Sequence, residues 1–360
     1  ASDVYKRQAI DRSGCRASWT ASVSPETAPM NAPSQAGSPV VPGRGIGSHE
    51  VTVRVPATSA NLGPGYDCLG LCLDLWDEVS VSTLDGRGVE IDVTGEGEHT
   101  IARDESHLVI ATIRRALADL GHPDPRCGLM LRAHNRIVQS RGLGSSAAAI
   151  VAGLALGWGI ARPGQPLDRD WALGVATQIE GHPDNAAPAI FGGAQLSWLD
   201  GDPTPAADVI SHASGARESA VHHVGLEIDP RIHPVVFVPQ RRVPTSAARA
   251  VMPKNVPHGD AVRQVLSACL LVTSLSHHPE HLMAATQDWL HQPFRRDLMP
   301  ESADLIDQMR ACGVPAVISG AGSTVLALGT TDQLAGVAEA DTRDFAVHQV
   351  GFGAGVQLHA

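Results

Sequence analysis

The sequence predicts an α+β fold in two domains, and three observations carry that expectation. The chain has 360 residues, enough for two domains of ordinary size. Strand-like and helix-like segments occur in both halves, without the regular alternation of a doubly wound parallel sheet. Residues 200–220 are polar and contain several small residues, which divides the chain there. The expected limits are a leader over 1–48, an N-terminal domain over 49–205 and a C-terminal domain over 206–360.

Each element has a local reason. Residues 51–55 alternate apolar and polar side chains as a half-buried strand does. A polar, Gly/Pro-rich turn is expected over 56–67, then extended segments over 69–81 and 89–93. Residues 108–120 place apolar side chains at helical spacing and stop at Gly121. A strand is expected over 128–132, then a Gly/Ser loop running into an Ala-rich helix. Asp168 is placed to cap a helix through Ile179, which the segment from Gly181 breaks. Residues 194–198 return as a strand. In the second half, strands are expected at 224–228 and 235–238, helices at 260–276 and 280–291, and a helix over 303–312 before a strand at 316–319. A glycine turn over 320–323 leads to a strand at 324–328. A helix near 331–340 and a strand near 345–350 close the chain.

Composition narrows the function classes. Hydrophobic residues make up 43% but aromatic ones only 4%, so the core must be built from Ala, Val, Leu and Ile. A net charge of −11 argues against non-specific nucleic-acid binding. It leaves room for ATP, whose phosphates are handled locally by backbone amides, a few cations and Mg²⁺. Cys15, Cys68, Cys72, Cys127, Cys269 and Cys312 form no Cys-x-x-Cys pair and read as buried free thiols of a cytoplasmic protein. His277, His278 and His281 read as a solvated helix end. The apolar stretch 147–160 is short and interrupted by Gly153, Gly157 and Gly159, so no membrane span is expected. The first 48 residues lack periodicity and an apolar signal segment, and read as disordered. Their opening, residues 2–8, resembles translated sequencing adaptor, which makes Met30 a candidate start.

Three segments are too polar and too irregular for scaffold alone, and a fourth, a glycine loop, is weak evidence by itself. Arg141-Gly-Leu-Gly-Ser-Ser-Ala-Ala-Ala149 is a glycine loop opening a helix, whose unpaired N–H groups and dipole suit a phosphate. It lacks the Lys of a Walker loop, and a capped helix with small residues for packing is the plainer alternative. Pro56-Ala-Thr-Ser-Ala-Asn61-Leu-Gly-Pro-Gly-Tyr-Asp67 carries an amide, a carboxylate and two hydroxyls on a loop after a strand. Glu180-Gly-His182-Pro-Asp-Asn185 gathers acid, imidazole and amide at a helix end, and its carboxylates are hard ligands for Mg²⁺. Ser319-Gly-Ala-Gly-Ser-Thr324 is either a hairpin turn or a loop closing on phosphates.

Together, in this order and spacing, the four segments resemble the GHMP kinase superfamily, and within it the homoserine kinases, from about Val51 to near the end of the chain. The resemblance implies a two-domain GHMP kinase fold: an N-terminal ribosomal protein S5 domain 2-like domain and a C-terminal ferredoxin-like α/β sandwich. It implies transfer of the ATP γ-phosphate to L-homoserine, giving O-phospho-L-homoserine for threonine synthesis, with a homodimer as a candidate assembly.

By the same resemblance, Val138, Gln139, Ser140, Arg141, Gly142, Leu143, Gly144, Ser145, Ser146, Ala147 and Ala148 form the ATP loop. Ser146 and Glu180 are placed on Mg²⁺. Asn61, Asp67, His182, Arg249 and Arg295 are assigned to the acceptor, with Asp67 on its ammonium and the arginines on its carboxylate. Asn185 is expected beside the reacting hydroxyl, and Asn185 and Arg249 are the residues given catalytic roles. Asp184 stands open between a base and a turn aspartate bonding backbone N–H groups. Two departures from the family pattern, Val138 and Ser323 where Pro is usual, bear on loop stiffness and nucleotide affinity.

Overall fold

The computed structural model describes residues 50–200 and 220–359. The expected leader, Met30 and the division at 205/206 lie outside the described residues.

Two sheets organise these residues. The first contains β1 (Glu50–Asn61), β2 (Gly65–Leu84), β3 (Val89–Gly95), β4 (Gly128–Asn135), β5 (Ala194–Leu199) and β6 (Val221–Leu226). The second contains β7 (His233–Pro239), β8 (Ala316–Ile318), β9 (Val325–Gly329) and β10 (Phe345–Gln349), in the order β10-β7-β9-β8. The chain then returns, and β11 (Gln357–His359) pairs antiparallel with β1 at the edge of the first sheet. Strand β2 is 20 residues long, long enough to pair β5 near its start and β4 near its end. Among the described strands, only β3 and β4 pair in parallel.

The turn expected over 56–67 is much shorter. The ladder with β2 shifts register at Pro56/Ala57, resumes to Ala60, and shifts again before Asn61, which faces Gly65. A register irregularity is where a strand tolerates a proline that cannot donate to the ladder. The turn is left to Leu62, Gly63 and Pro64, and Asn61 and Asp67 stand at its rim.

Helices α1 (Leu108–Asp119), α2 (Ser145–Ala161), α3 (Arg169–Glu180) and α4 (Ala186–Phe191) cover the first sheet. Helix α2 is apolar on every side and buried along most of its length, as its composition requires. Its glycines serve packing: a Cβ at Gly153 would lie 2.6 Å from Thr112 Cβ on α1. Asp168 caps α3 through the Trp171 N–H, and Gly181 ends it at φ +83°. No helix among the described residues is long and apolar enough to cross a membrane.

The second half adds α5 (Thr245–Ala250), α6 (His258–Ser276), α7 (Leu282–Ala285), α8 (Gln292–Arg295), α9 (Pro300–Ala311) and α10 (Thr331–Leu334). The helix expected over 280–291 is broken. Asp288 is the cause: its carboxylate accepts N–H bonds from Leu290, His291 and Gln292 at 3.0, 3.1 and 2.6 Å, and such local side-chain bonds compete with helix. The core of this half gathers Phe237, Met299, Leu305, Met309 and Ile318; that of the first is Val, Leu, Ile and Ala. The α+β class expected from the sequence holds.

The uniform burial expected of the cysteines does not hold: Cys72 is buried, Cys68 and Cys127 are half-buried, and Cys269 is exposed, all as free thiols. His277, His278 and His281 are exposed, with His278 against Glu280.

Candidate active site

The site is assembled where the β1–β2 turn, the start of α2, the end of α3 and the 319–324 loop converge. Asn61 and Asp67 both adopt positive φ, +69° and +56°, a region that Asn and Asp tolerate best after glycine. Asn61 Oδ1 accepts the Asp67 N–H at 2.9 Å, and its Nδ2 donates to the Gly320 carbonyl at 2.9 Å. Asn61 therefore lines the cavity with both ends of its amide held by main chain, and fixes where Asp67 points.

The glycine loop is shaped by close approach. A Cβ on Gly142 would fall 2.1 Å from the Ser319 carbonyl, and one on Gly144 only 1.9 Å from Thr58 Oγ1. Both glycines have positive φ. Gly144 starts α2 with no side-chain cap, so the first-turn N–H groups and the positive end of the dipole are open to the cavity. Ser319 Oγ lies 2.8 Å from Ser59 Oγ and 2.5 Å from the Gly142 carbonyl, and the Gly320 N–H donates to Ala60 O at 3.0 Å. The 319–324 loop thus clamps the phosphate-type loop against β1. Ser323 is buried and its hydroxyl donates to the Arg241 carbonyl, so the serine that replaces proline ties this loop down by a bond.

At the end of α3, Ser146 hydrogen-bonds Glu180, whose carboxyl burial pushes above the usual range. His182 Nδ1 is 2.5 Å from Asp184 Oδ1. Burial works against the imidazolium, but the charge of Asp184, its hydrogen bond, and Glu180 and Asp67 beyond push His182 up to about 9. Asp184 is 2% exposed. It also accepts from the side chain and backbone N–H of Asn185. Thr58 Oγ1 donates to Asn185 Oδ1 at 2.8 Å, so the Asn185 amide is held from two sides.

On the far wall, Arg249 of α5 grips Asp67 with two bonds, 3.0 and 3.2 Å. Arg295 is buried; its Nε donates to Ala248 O at 3.1 Å and its guanidinium lies 5.4 Å from the centre of the Tyr66 ring. Ligand atoms of Asp67, His182 and Asp184 lie within 4.8 Å of one another. Each already has a charged partner, so the cluster is an ion-pair network. The lysines of the chain are Lys6 and Lys254. Lys254 is exposed and does not line the site, so no Asp–Lys base pair stands among the described residues.

These groups surround a cavity of about 470 Å³. A second cavity, of about 240 Å³, opens on the other side of the α2 N-terminus and shares Leu108, Ser140, Ser145 and Ser146 with it. Its walls include Val55, Ile101, Ile137, Gln139 and Ala148. His107, which precedes α1, is 5% exposed and faces this slot; neither of its ring nitrogens has a partner among the described residues. Beside it, burial pushes Asp77 up to about 6, although the Ile137 and Arg136 N–H groups bond it.

Of the residues expected from the sequence, Asn61, Asp67, Glu180, His182, Asn185, Arg249 and Arg295 share the larger cavity with Ser140, Gly142, Gly144, Ser145, Ser146 and Ala147. Gln139 and Ala148 line the slot. Val138, Arg141 and Leu143 are placed away from both. Leu143 is buried in the core, Val138 packs against it, and Arg141 Nη2 donates to Gln240 O. Thr58, His107 and Asp77 were not singled out as site residues. Thr58 lies in a segment the sequence marked, whereas His107 and Asp77 reach the slot only through tertiary packing.

Comparison with known proteins bears on the family and the fold. Residues 107–193 match the GHMP kinases N terminal domain and residues 275–345 the GHMP kinases C terminal domain. A homoserine kinase of Cutibacterium acnes is 61% identical over 310 residues, 86% of this chain and 99% of the relative. One of Streptomyces coelicolor is 45% identical over 84% of this chain and 91% of its own. Among solved structures, homoserine kinase from Cytophaga hutchinsonii superposes with a TM-score of 0.71 at 25% identity, covering 89% of this chain and 100% of that one. A mevalonate kinase, at 12% identity and a TM-score of 0.58 over 84% of this chain and 98% of its own, shares the fold.

Proposed function

This chain belongs to the homoserine kinases of the GHMP kinase family, and from that premise we propose that it transfers the γ-phosphoryl group of ATP to the hydroxyl of L-homoserine, giving O-phospho-L-homoserine for threonine synthesis. The observation that carries the reading is one cavity that joins the open N-terminus of α2 to a carboxylate, Asp67, and two guanidiniums, Arg249 and Arg295. The first suits a triphosphate; the second set suits an amino acid.

In this reading the nucleotide base enters the apolar slot beside His107, and the phosphates cross the first turn of α2 into the larger cavity. The N–H groups of that turn and the hydroxyls of Ser145 and Ser146 hold phosphate oxygens. The bonded pair Ser146–Glu180 presents hard oxygens on the phosphate side, a donor set that fits Mg²⁺. When bound there, Mg²⁺ neutralises charge on the phosphates. The acceptor carboxylate is held by Arg249 and Arg295 and its ammonium by Asp67, and His182 adds a positive charge nearby. Asn185, fixed by Thr58 and Asp184, orients the reacting hydroxyl.

The hydroxyl oxygen bonds to the γ-phosphorus as the bond to the ADP oxygen breaks. Its proton passes to an oxygen of the phosphoryl group being transferred, because Asp184 is already engaged by His182 and Asn185. Such transfer rests on positioning and charge more than on covalent help. The free thiols are in keeping with a cytoplasmic setting.

The test is ADP release with L-homoserine, mevalonate, shikimate and galactose as acceptors. Turnover is expected with L-homoserine above the rest. Background rates with L-homoserine alongside turnover of another alcohol would overturn the assignment.

A further inference from the structure

The glycine loop has a second face. Val138, Arg141 and Leu143 turn away from the larger cavity and line a groove of about 770 Å³. Three guanidiniums line this groove: Arg136, which follows β4, Arg141 in the loop, and Arg242, which follows β7. None of the three has a carboxylate partner among the described residues, although Arg132 and Arg241, close to them in sequence, are paired with Glu50 and Glu301. Arg136 Nε donates to His134 Nε2 and Arg141 Nη2 to Gln240 O, each at 3.2 Å. Arg141 Nε is buried with no partner among the described residues. Each guanidinium carries five N–H donors, so most of this donor capacity is unspent. Glu96 is the one acid lining the groove among the described residues, and His134 and His348 line it as well. With both imidazoles neutral, three cations against one carboxylate leave a formal charge of +2, in a chain whose net charge is −11.

We propose that this groove binds a small dianion, a phosphate monoester or a dicarboxylate, and that the bound anion holds the glycine loop from behind. The volume is that of a small-molecule site. The guanidinium fork matches phosphate and carboxylate oxygens in pairs, and a phosphate monoester carries nearly two negative charges at neutral pH. None of the three arginines lines the larger cavity or the slot, so the site is separate from both. Their backbones nevertheless reach it. Arg141 O accepts the Thr324 N–H at 2.9 Å, and Ser140 O accepts the Val243 N–H at 3.1 Å. The Ser323 hydroxyl donates to the Arg241 carbonyl. The chain on each side of Arg242 is thus bonded to a loop of the active site. An anion shared by Arg141 and Arg242 ties these segments together and removes the repulsion between their like charges.

The experiment is calorimetric titration of glycerol 3-phosphate, succinate and acetate, at fixed ionic strength, into wild type and the double variant Arg136→Ser/Arg242→Ser. Wild type should bind a dianion about 10-fold more tightly than acetate, because a second charged group finds partners. Tighter binding of glycerol 3-phosphate identifies a phosphate ester and tighter binding of succinate a dicarboxylate, and either supports the site. The double variant should lose about 10-fold for each arginine removed. Its melting temperature and basal kcat should be retained, because neither side chain lines the active site. Dianion binding that survives the double variant, or no binding of either dianion to wild type, would overturn the proposal.

Hydrogen exchange reads the hold on the loop directly. The dianion should slow exchange of the 140–144 amides in wild type and not in the double variant. Unchanged exchange in wild type with the dianion bound would overturn the hold on the loop.

Discussion

Gly144→Ala is the most informative single change at this site. Gly144 combines φ +66° with a Cβ position 1.9 Å from Thr58 Oγ1 and 3.0 Å from Asn185 Oδ1. The left-handed backbone costs an alanine about 1–2 kcal/mol. The new methyl also has to push Thr58 aside, breaking the 2.8 Å bond to Asn185, which adds about 1 kcal/mol. The backbone part should appear as a lower melting temperature. The second part should appear in kcat, because Asn185 loses one of the two bonds that aim it, and about 1 kcal/mol corresponds to a fall of about fivefold. Steady-state kinetics on Gly144→Ala, Thr58→Ala and the double variant separate the two. If the collision is the cause, kcat of the double variant should be no lower than that of Thr58→Ala alone. Additive losses, or an unchanged kcat in Gly144→Ala, would refute the claim that Thr58 positions Asn185 and that the glycine makes room for it.

Three further outcomes are expected. Asp77 has its carboxyl raised from 3.8 to about 6 by burial, so the folded state binds its proton more tightly than the unfolded one, and stability falls as pH rises from about 4 through 6. Asp77→Asn keeps an oxygen for the Arg136 and Ile137 N–H groups and should be near neutral at pH 4 but stabilising at pH 8, by up to about 3 kcal/mol; denaturant midpoints of equal difference at both pH values would contradict this. Glu180→Gln should raise the Mg²⁺ concentration needed for half-maximal rate by about 10-fold or more, while leaving the melting temperature equal or higher because a buried acid is removed; an unchanged Mg²⁺ dependence would take Glu180 out of the metal site. His107→Ala should raise the ATP KM by about 10-fold, the loss of one buried hydrogen bond, with kcat at saturating nucleotide retained; an unchanged KM would show that the slot does not take the base.

Much of this arrangement was legible in the residues because the functional segments are local. The Gly142–Ser146 loop, the Glu180–Asn185 turn and the Ser319–Thr324 loop each announce an irregular backbone in their own composition, and each sits where the cavity forms. The caps at Asp168 and Gly181 are likewise short-range chemistry. What was not legible depended on contacts distant in sequence. The Pro56–Asn61 run looks like a turn until β2 supplies a ladder with a register shift. Residues 282–291 keep helical apolar spacing, but Asp288 takes the backbone donors. Val138, Arg141 and Leu143 lie within the motif yet face away, because a loop that turns through positive φ at Ser140, Gly142 and Gly144 alternates the sides it presents. His107 and Asp77 come to the slot only because the residue before α1 and the middle of β2 both line it beside α2.

The return of the chain to the first sheet has a mechanical consequence. Between β10 and β11 the backbone is laced across β2 and α4: Asp74 N–H bonds Gly351 O, Gly353 N–H bonds Cys72 O, and Val356 N–H bonds Ala189 O, at 2.9, 3.0 and 2.8 Å. The last of these anchors lies in α4, the helix whose first residue follows Asn185. A strap thus runs from the second sheet, over β2, to the helix that Asn185 precedes. None of the residues that make these three bonds lines the larger cavity. Cutting the strap, by removing residues 350–359, should therefore slow turnover even though nothing that touches either substrate has been altered.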